Sequence, residues 1–504
     1  MKLSAKLDCD LVAVETQDEL TLLVEVTAPE MIAATPRQPA TLQVVLDRSG
    51  SMGGDRLEGA KAALLALVDR LDPSDNLGVL AFDDGVQIVV PAGPLQDKLA
   101  VKQAIAAVTA GGTTDLSGGY LRGLQEARRV AGPAGATVLL VSDGHANAGI
   151  TDADQIGTVA AEARKHRITT STLGFGLGYD ELLLGALARG GAGNELFAEE
   201  ADTAVALISG EVEGLLAQVA QAASLRVVIS EHVASVHVLN DLPVVGLVDG
   251  VMLELGSFYA GETRRLLVKL VVPGIQALGL TQVASLEFTH VSLPDVLQHT
   301  TTVPIHVNVV PGDQAAGRIP DPEVRTEALF QQIQRSKRDA SRLFTGGQVG
   351  QATEMLLNAS TLLRSEADAM PVGAATELFA EADLLDALVL ESHADASRAA
   401  KASSYDATVK SRNRGRESRG GRIVLRWVEG HEGVSAATIT FEEWELQRLL
   451  RVLPQELSAQ LRPTRSARGP EVAGAIASIL GTNDPVSGFF EQAAANGGFT
   501  VKRT

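Results

Sequence analysis

Between residues 40 and 220, short apolar segments alternate with longer segments of a different period, and this alternation constrains the fold more than any other feature of the chain. The short segments, such as TLQVVLD and ATVLLVS, carry apolar side chains at consecutive positions. Strands of that kind are buried on both faces of a sheet. The longer segments have apolar residues at helical spacing. The pattern predicts a Rossmann-like, doubly wound α/β domain, with a mostly parallel sheet covered by helices on both sides.

The segments that flank this domain alternate apolar and polar residues with a period of two. Such alternation is typical of strands with one buried and one solvated face. It occurs in residues 1–35, as in DELTLLVEVT, and again in residues 221–313, as in TRRLLVKLVV. We expect both flanks to build one β-sandwich-like domain, with the α/β domain of residues 40–220 inserted into it.

The remaining chain has no comparable strand pattern until near its end. Residues 320–405 predict a helical hairpin or bundle, in which Gly346 and Gly347 end a helix. Residues 406–422 are rich in arginine and lysine and predict a basic linker, and residues 423–504 predict a small C-terminal domain. The expected architecture is therefore multidomain: α/β plus β plus α.

Composition excludes several classes of function. The 504 residues carry a net charge of −19, which argues against general affinity for nucleic acid. Cys9 is the single cysteine, so neither an internal disulfide framework nor a cysteine-rich zinc module fits. We find no apolar run long enough to span a membrane and no signal-peptide pattern, and we expect a cytoplasmic protein.

The first strand of the α/β region has an unusual ending. TLQVVLD is followed by RSGSMGG, which places Asp47, Ser49 and Ser51 at positions i, i+2 and i+4. Doubly wound sheets bind ligands beyond the carboxyl ends of their strands, where the strand order reverses. Asp, Ser and Gly are also the residues that form turns and cap helices. This stretch alone is compatible with a capping turn and with a cation site.

Two further loops bring oxygen-bearing side chains to the same end of the predicted sheet. GGTTD lies between two predicted helices and offers Thr113 and Thr114 before Asp115, which we expect to cap the second helix. LLVSDGHAN ends another predicted strand with Asp143. Helix capping does not require three such loops at one end of one sheet, so their convergence favours a divalent cation site.

The donors at this site suit Mg²⁺, which prefers six hard oxygen ligands and often keeps bound water. Mn²⁺ and Ca²⁺ are alternatives. Two carboxylates supported by hydroxyl groups neutralise the ion but leave a ligand position open. A Glu or Asp side chain of a partner protein could fill that position, so that the metal would bind the partner directly.

Three segments carry a resemblance to a known family. VVLDRSGSM, GGTTDLSGG and LLVSDGHAN resemble, in order, the three parts of the metal-ion-dependent adhesion site of von Willebrand factor type A domains. The resemblance covers residues 40–220. It implies the metal ligands Asp47, Ser49, Ser51, Thr113 and Asp143, with Thr113 preferred over its neighbour because it directly follows the glycine pair.

A looser likeness extends to large intracellular proteins that contain such a domain. These include bacterial homologues of chloride-channel-accessory proteins and plant RING-type proteins. The chain lacks the cysteines of a RING module, so ubiquitin-ligase activity is not implied.

The sequence thus predicts a scaffold or adaptor that is not an enzyme and that binds a protein partner through Mg²⁺. One alternative is a subunit that presents a client to a MoxR-like AAA+ ATPase ring, and a second is a metal-dependent hydrolase. The chain has no phosphate-binding P-loop motif. Ser49 also stands where a phosphatase with an aspartyl nucleophile would carry its second acid.

Overall fold

The computed structural model describes residues 1–30, 37–132, 134–143, 146–176, 178–198, 201–368, 370, 372–411, 423–427, 437–441 and 500–503. Residues 1–414 and residues 415–504 form two separate units. In the first unit the chain begins with the strands β1 (Lys2–Leu7), β2 (Leu11–Ala13) and β3 (Asp18–Thr27).

An α/β layer follows. Its strands are β4 (Thr41–Asp47), β5 (Asn76–Phe82), β6 (Val86–Pro94), β7 (Ala136–Ser142), β8 (Ile168–Phe175) and β9 (Ala192–Ala198). Its helices are α1 (Asp55–Arg70), α2 (Lys98–Ala106), α3 (Leu116–Val130), α4 (Ala153–Lys165), α5 (Glu181–Gly190) and α6 (Ala201–Leu216). The strands form one sheet in the order β6-β5-β4-β7-β8-β9, in which β6 is antiparallel to β5 and the other neighbours are parallel.

Alternate residues of the central strand face two different hydrophobic cores. Val44 and Leu46 of β4 lie in a cluster that contains buried residues of α1 and α6, whereas Val45 lies in a second cluster with residues of α3, α4 and α5. Every residue of β4 is buried, which agrees with the consecutive apolar residues at positions 44–46. The predicted Rossmann-like α/β domain with helices on both faces is confirmed.

The strand order reverses beside β4. From β4 the chain adds β5 and β6 on one side and then returns to place β7 on the other side. The carboxyl ends of β4 and β7 therefore flank the topological switch point, where doubly wound sheets bind ligands. Asp47 is the last residue of β4, and Asp143 directly follows β7.

The chain then returns to antiparallel strands. They are β10 (Gln218–Ile229), β11 (Ser235–Val238), β12 (Val244–Leu247), β13 (Gly250–Tyr259), β14 (Thr263–Val272), β15 (Gly279–Ser292) and β16 (Leu297–Val310). The sheet orders are β1-β3-β14-β11 and β12-β13-β10-β15-β16-β2, so strands from before the α/β layer pair with strands from after it. One core cluster draws Val24 and Val268 from the first sheet and Val227 and Leu286 from the second.

A helical part ends the first unit, as predicted. Its helices are α7 (Gly312–Ala315), α8 (Pro322–Thr345), α9 (Val349–Ala367), α10 (Val372–Ala394) and α11 (Ala396–Ser411). Gly346 and Gly347 follow the last turn of α8, and Gly347 has a φ of +76°, a value that glycine adopts without strain.

The predicted basic linker of residues 406–422 begins too early. Residues 406–411 belong to α11, and Lys410 in its last turn contacts Glu381 of α10 and Asp406 one turn earlier. Residues 412–422 lie outside the described residues. The other domain boundaries drawn from the sequence remain predictions.

The second unit contains the strands β17 (Ile423–Trp427), β18 (Ala437–Phe441) and β19 (Thr500–Arg503), which form an antiparallel sheet in that order. The rest of the predicted C-terminal domain, residues 428–436, 442–499 and 504, lies outside the described residues. None of the helices in the described part of the chain is long and apolar enough to cross a membrane.

Candidate metal centre

The first loop of the candidate site folds tightly around Asp47. The Ser49 backbone N–H donates a hydrogen bond to Asp47 Oδ1 at 2.8 Å, and the Ser49 and Ser51 hydroxyls are 3.1 Å apart. Asp47 and Ser49 are buried, whereas Ser51 is exposed. The structure therefore brings the three predicted ligands of this loop together, with Ser51 on the solvent side.

The second loop is held against the first by backbone hydrogen bonds. The Gly111 N–H donates to Arg48 O at 2.8 Å, and the Gly50 N–H donates to Gly112 O at 3.1 Å. Gly112 has a φ of +72°, and a Cβ atom there would approach Asp83 Cβ to 2.8 Å, so this turn requires glycine. The exposed Thr113 follows directly.

The two residues after Thr113 have structural roles. Thr114 is buried, and its carbonyl oxygen accepts hydrogen bonds from the backbone N–H groups of Asn147 and Ala148 in the third loop. The Asp115 carboxylate accepts a hydrogen bond from the Gly118 N–H at 2.9 Å and caps α3, as expected. Thr113 is thus the exposed threonine of this loop, and Thr114 is the buried one.

The third loop places a carboxylate beside Asp47. β7 is parallel to β4 with Val141 opposite Leu46, and one residue further on the Ser142 hydroxyl donates to Asp47 Oδ2 at 2.5 Å. Asp143 is fully buried, and neither of its carboxylate oxygens accepts a hydrogen bond from the described residues. Arg56 Nη1 lies 3.5 Å from Asp143 Oδ2.

Burial raises the pKa of Asp47, and the negative charge of Asp143 raises it further. Hydrogen bonds from Ser142 and Ser49 oppose this shift, because they stabilise the charged carboxylate. Two carboxylates removed from water beside each other repel one another strongly. A divalent cation would remove that repulsion and supply a partner for the Asp143 oxygens.

The donor set fits a hard cation. Asp47 and Asp143 provide two carboxylates, and Ser49, Ser51 and Thr113 provide hydroxyl oxygens, which is the ligand chemistry that Mg²⁺ prefers. Among the described residues, no group of three or more His, Cys, Asp and Glu side chains is placed to hold a metal. A centre here would depend on hydroxyls, as the sequence predicts, and the assignment of the five ligands stays a prediction.

Two polar residues at the site escaped the sequence analysis. Ser142 precedes Asp143 and is placed next to Asp47 by the register of β4 and β7. The predicted parallel sheet did not indicate it, because the sequence analysis did not predict that β4 pairs with β7 or in which register. Arg56 is the second residue of α1, and its contact with Asp143 depends on how the loops pack, for which we see no signal in the sequence.

Comparisons with known proteins identify the α/β domain. The sequence profile of the von Willebrand factor type A domain matches residues 42–209. An uncharacterized protein of Synechocystis sp. is 35% identical over 170 residues, which cover 34% of this chain and 40% of the relative. The chain therefore spans less than half the length of this relative.

Two solved structures share the fold over most of this chain. A von Willebrand factor type A protein of Catenulispora acidiphila superposes with a TM-score of 0.62 at 15% identity, over 82% of this chain and 97% of that one. The ArnB paralog VWA2 of Sulfolobus acidocaldarius superposes with a TM-score of 0.58 at 16% identity, over 81% and 97%. The match to the sequence profile and the six-stranded sheet point to the same domain. The chain therefore contains a von Willebrand factor type A domain at residues 42–209.

Proposed function

We propose that this chain is a Mg²⁺-dependent protein-binding scaffold that is not an enzyme, in which the metal accepts a Glu or Asp side chain from a partner. The observation that carries the proposal is Asp143. Its carboxylate is fully buried, yet neither oxygen accepts a hydrogen bond from the described residues. A buried carboxylate in that state is costly, and a bound cation offsets the cost.

Recognition follows from the chemistry of the donors. Asp47 and Asp143 neutralise a divalent ion, and neutral hydroxyls complete part of its shell. Mg²⁺ keeps near-octahedral coordination, so a position remains for water or for an incoming carboxylate. Ser51 and Thr113 are exposed, so both are accessible to a partner from the solvent. Von Willebrand factor type A domains are a protein-interaction fold, which agrees with this role.

The use of both carboxylates as metal ligands supports a role without catalysis. General acid–base chemistry needs a titratable group within hydrogen-bond reach of the substrate. Asp47 and Asp143 are the carboxylates of the cluster, and both are assigned to the metal. A hydrolase would therefore need a further base from elsewhere.

The metal is tested first. We expect calorimetric titration of the full chain with MgCl₂ to show one binding site. We expect Asp143→Asn to lower the affinity for Mg²⁺ by roughly 100-fold or more, because one of two charged ligands is lost. Asp143→Asn should also raise the melting temperature of the metal-free protein, since it removes the buried charge beside Asp47. Asp69→Asn, at an exposed acid that pairs with Lys102, is the matched control. Mg²⁺ binding by Asp143→Asn at wild-type strength would contradict the assignment.

The partner is tested next. We expect a pull-down from the native host to retain a protein in Mg²⁺ and to lose it in EDTA or with Asp143→Asn. Loss of peptides from a ring ATPase on chelation would favour the client-presenting subunit. Ester or phosphate hydrolysis that disappears in Asp47→Ala would overturn the non-enzymatic role.

A further inference from the structure

Arg56 connects several segments around the candidate metal centre. It lies in the first turn of α1, and its Nη1 donates a hydrogen bond to Ser51 O at 3.2 Å and stands 3.5 Å from Asp143 Oδ2. The loop after β8 closes the other side, because a Cβ atom on Gly176 would lie 2.9 Å from Arg56 Nε. The guanidinium is therefore held between the first loop, the third loop and the end of β8.

The contact with Asp143 is close enough for charge attraction but does not satisfy the carboxylate. At 3.5 Å, with neither Asp143 oxygen accepting a hydrogen bond, the pair is an electrostatic contact only. The Arg56 side chain is 40% exposed, so it can turn into water without leaving a buried cation behind. The Asp143 carboxylate is fully buried and has no such freedom.

We propose that Arg56 is a built-in counter-ion, which compensates Asp143 when no metal is bound and which a divalent cation must displace. The inference rests on the proposed metal site and adds what sets its affinity. The Arg56 guanidinium is a cation, so it competes with a metal ion for the Asp143 carboxylate. Without this charge, an entering cation would meet the uncompensated charges of Asp47 and Asp143.

The test is calorimetric titration of the full chain with MgCl₂. Arg56→Gln removes the charge but keeps a polar side chain, and we expect it to bind Mg²⁺ roughly tenfold more tightly, the size of a pairwise charge effect in a partly solvated site. Arg56→Lys keeps the charge and should bind Mg²⁺ with nearly wild-type affinity. Arg70→Gln is the matched control, because Arg70 ends the same helix, is 42% exposed and pairs with a different acid, Glu213.

A second measurement separates this role from a purely structural one. In EDTA, we expect Arg56→Gln to melt at a lower temperature than Arg70→Gln, because Asp143 loses its counter-charge. The variant should thus be less stable without metal and bind metal more tightly. A structural role for Arg56 would weaken both properties together.

The outcomes distinguish this inference from the proposed function. Equal or weaker Mg²⁺ binding by Arg56→Gln, with binding by the wild type intact, overturns the counter-ion role alone. Tighter binding by Arg56→Gln, or binding that only Arg56→Gln shows, supports it. No Mg²⁺ binding by either protein would overturn the metal site and this inference together.

Discussion

Two fully buried carboxylates of the α/β domain differ sharply in their partners. Asp75 accepts two hydrogen bonds from the Arg37 guanidinium, at 2.6 and 2.7 Å, and others from the backbone N–H groups of Ala40 and Asp72. Asp143 accepts none from the described residues. A buried acid whose oxygens are all used is a structural element, whereas one whose oxygens are unused is a candidate ligand.

The environment of Asp75 gives a prediction about pH. Burial alone would raise the pKa of Asp75, but Arg37 and the two backbone N–H groups outweigh burial and lower it below its ordinary value of 3.8. Because the folded-state pKa is depressed, the stabilisation is present above about pH 4 and is lost as the pH falls through the folded-state pKa. We expect Asp75→Asn to cost about 2 kcal/mol at pH 7.

Scanning calorimetry of the full chain between pH 7 and pH 3 checks this prediction. The melting-temperature difference between the wild type and Asp75→Asn should be constant down to about pH 5 and should shrink below about pH 4. Asp72→Asn is the control, because Asp72 also contacts Arg37 but is largely exposed. An undiminished difference at pH 3 would show that the charge of Asp75 is not what stabilises the fold.

At the scale of elements, the inner face of α8 is unusually polar. Lys337 is fully buried and contacts Glu381 of α10 and Asp406 of α11. Lys410 of α11 contacts the same two acids, at 2.7 and 3.0 Å. Two bases and two acids therefore balance inside the helical part, and they hold three helices in one arrangement.

This balance predicts a compensating pair of substitutions. Lys337→Met leaves two acids with one base, and we expect it to cost about 3 kcal/mol, since breaking a buried ion pair strands a charge. Lys337→Met combined with Glu381→Leu leaves Lys410 paired with Asp406, so we expect the double variant to recover at least half of that loss. The melting temperature of each variant, measured by calorimetry, checks this.

Arg342→Ala provides the comparison for the helical part. Arg342 lies on the same helix, is mostly exposed, and pairs with Asp339, so its removal should change stability by less than about 0.5 kcal/mol. A double variant less stable than Lys337→Met would mean that Glu381 stabilises the bundle through contacts other than the ion pairs.

The elements also show what the sequence could predict and why. Strands β4 and β7 each contain consecutive apolar residues, at positions 44–46 and 138–141, and this pattern was sufficient to predict their burial and the α/β fold. Helix α11 was only partly predicted, because its buried side chains are alanine, serine, threonine and lysine, which give a weak periodic signal. Its packing depends on tertiary contacts such as that of Lys410 with Glu381.

In the candidate site, too, some residues could be predicted from local sequence spacing and others depend on tertiary packing. Asp47, Ser49 and Ser51 lie within five residues, so their proximity follows from local spacing, and in the structure Ser49 is hydrogen-bonded to Asp47 through its N–H and to Ser51 through its hydroxyl. The contact of Ser142 with Asp47, which lies 95 residues earlier in the chain, depends on the register of β4 and β7 and could not be predicted from local spacing. The arrangement of Arg56 required the approach of the loop after β8, which only the folded chain defines.

At the scale of the whole first unit, the connections and the candidate site lie at opposite ends of the sheet. Thr41 begins β4, and the chain passes from α6 at Leu216 directly into β10 at Gln218. These residues line a cavity of about 380 Å³ together with Pro294 and His290 of the antiparallel region. The loops of the candidate metal site follow the carboxyl ends of β4 and β7, at the other end of the sheet from this cavity.

This separation predicts that the effect of the metal is local. Hydrogen exchange of the full chain, measured by mass spectrometry in Mg²⁺ and in EDTA, should show slower exchange in residues 48–53, 111–115 and 146–150. Ligand present at 100 times its dissociation constant slows exchange from states that release it by roughly 100-fold. Strands β10 and β13 should be unchanged, and Asp143→Asn should abolish the difference. Protection of β13 equal to that of the loops would contradict a local effect, because it would require the metal to stabilise the antiparallel region across the full length of the parallel sheet.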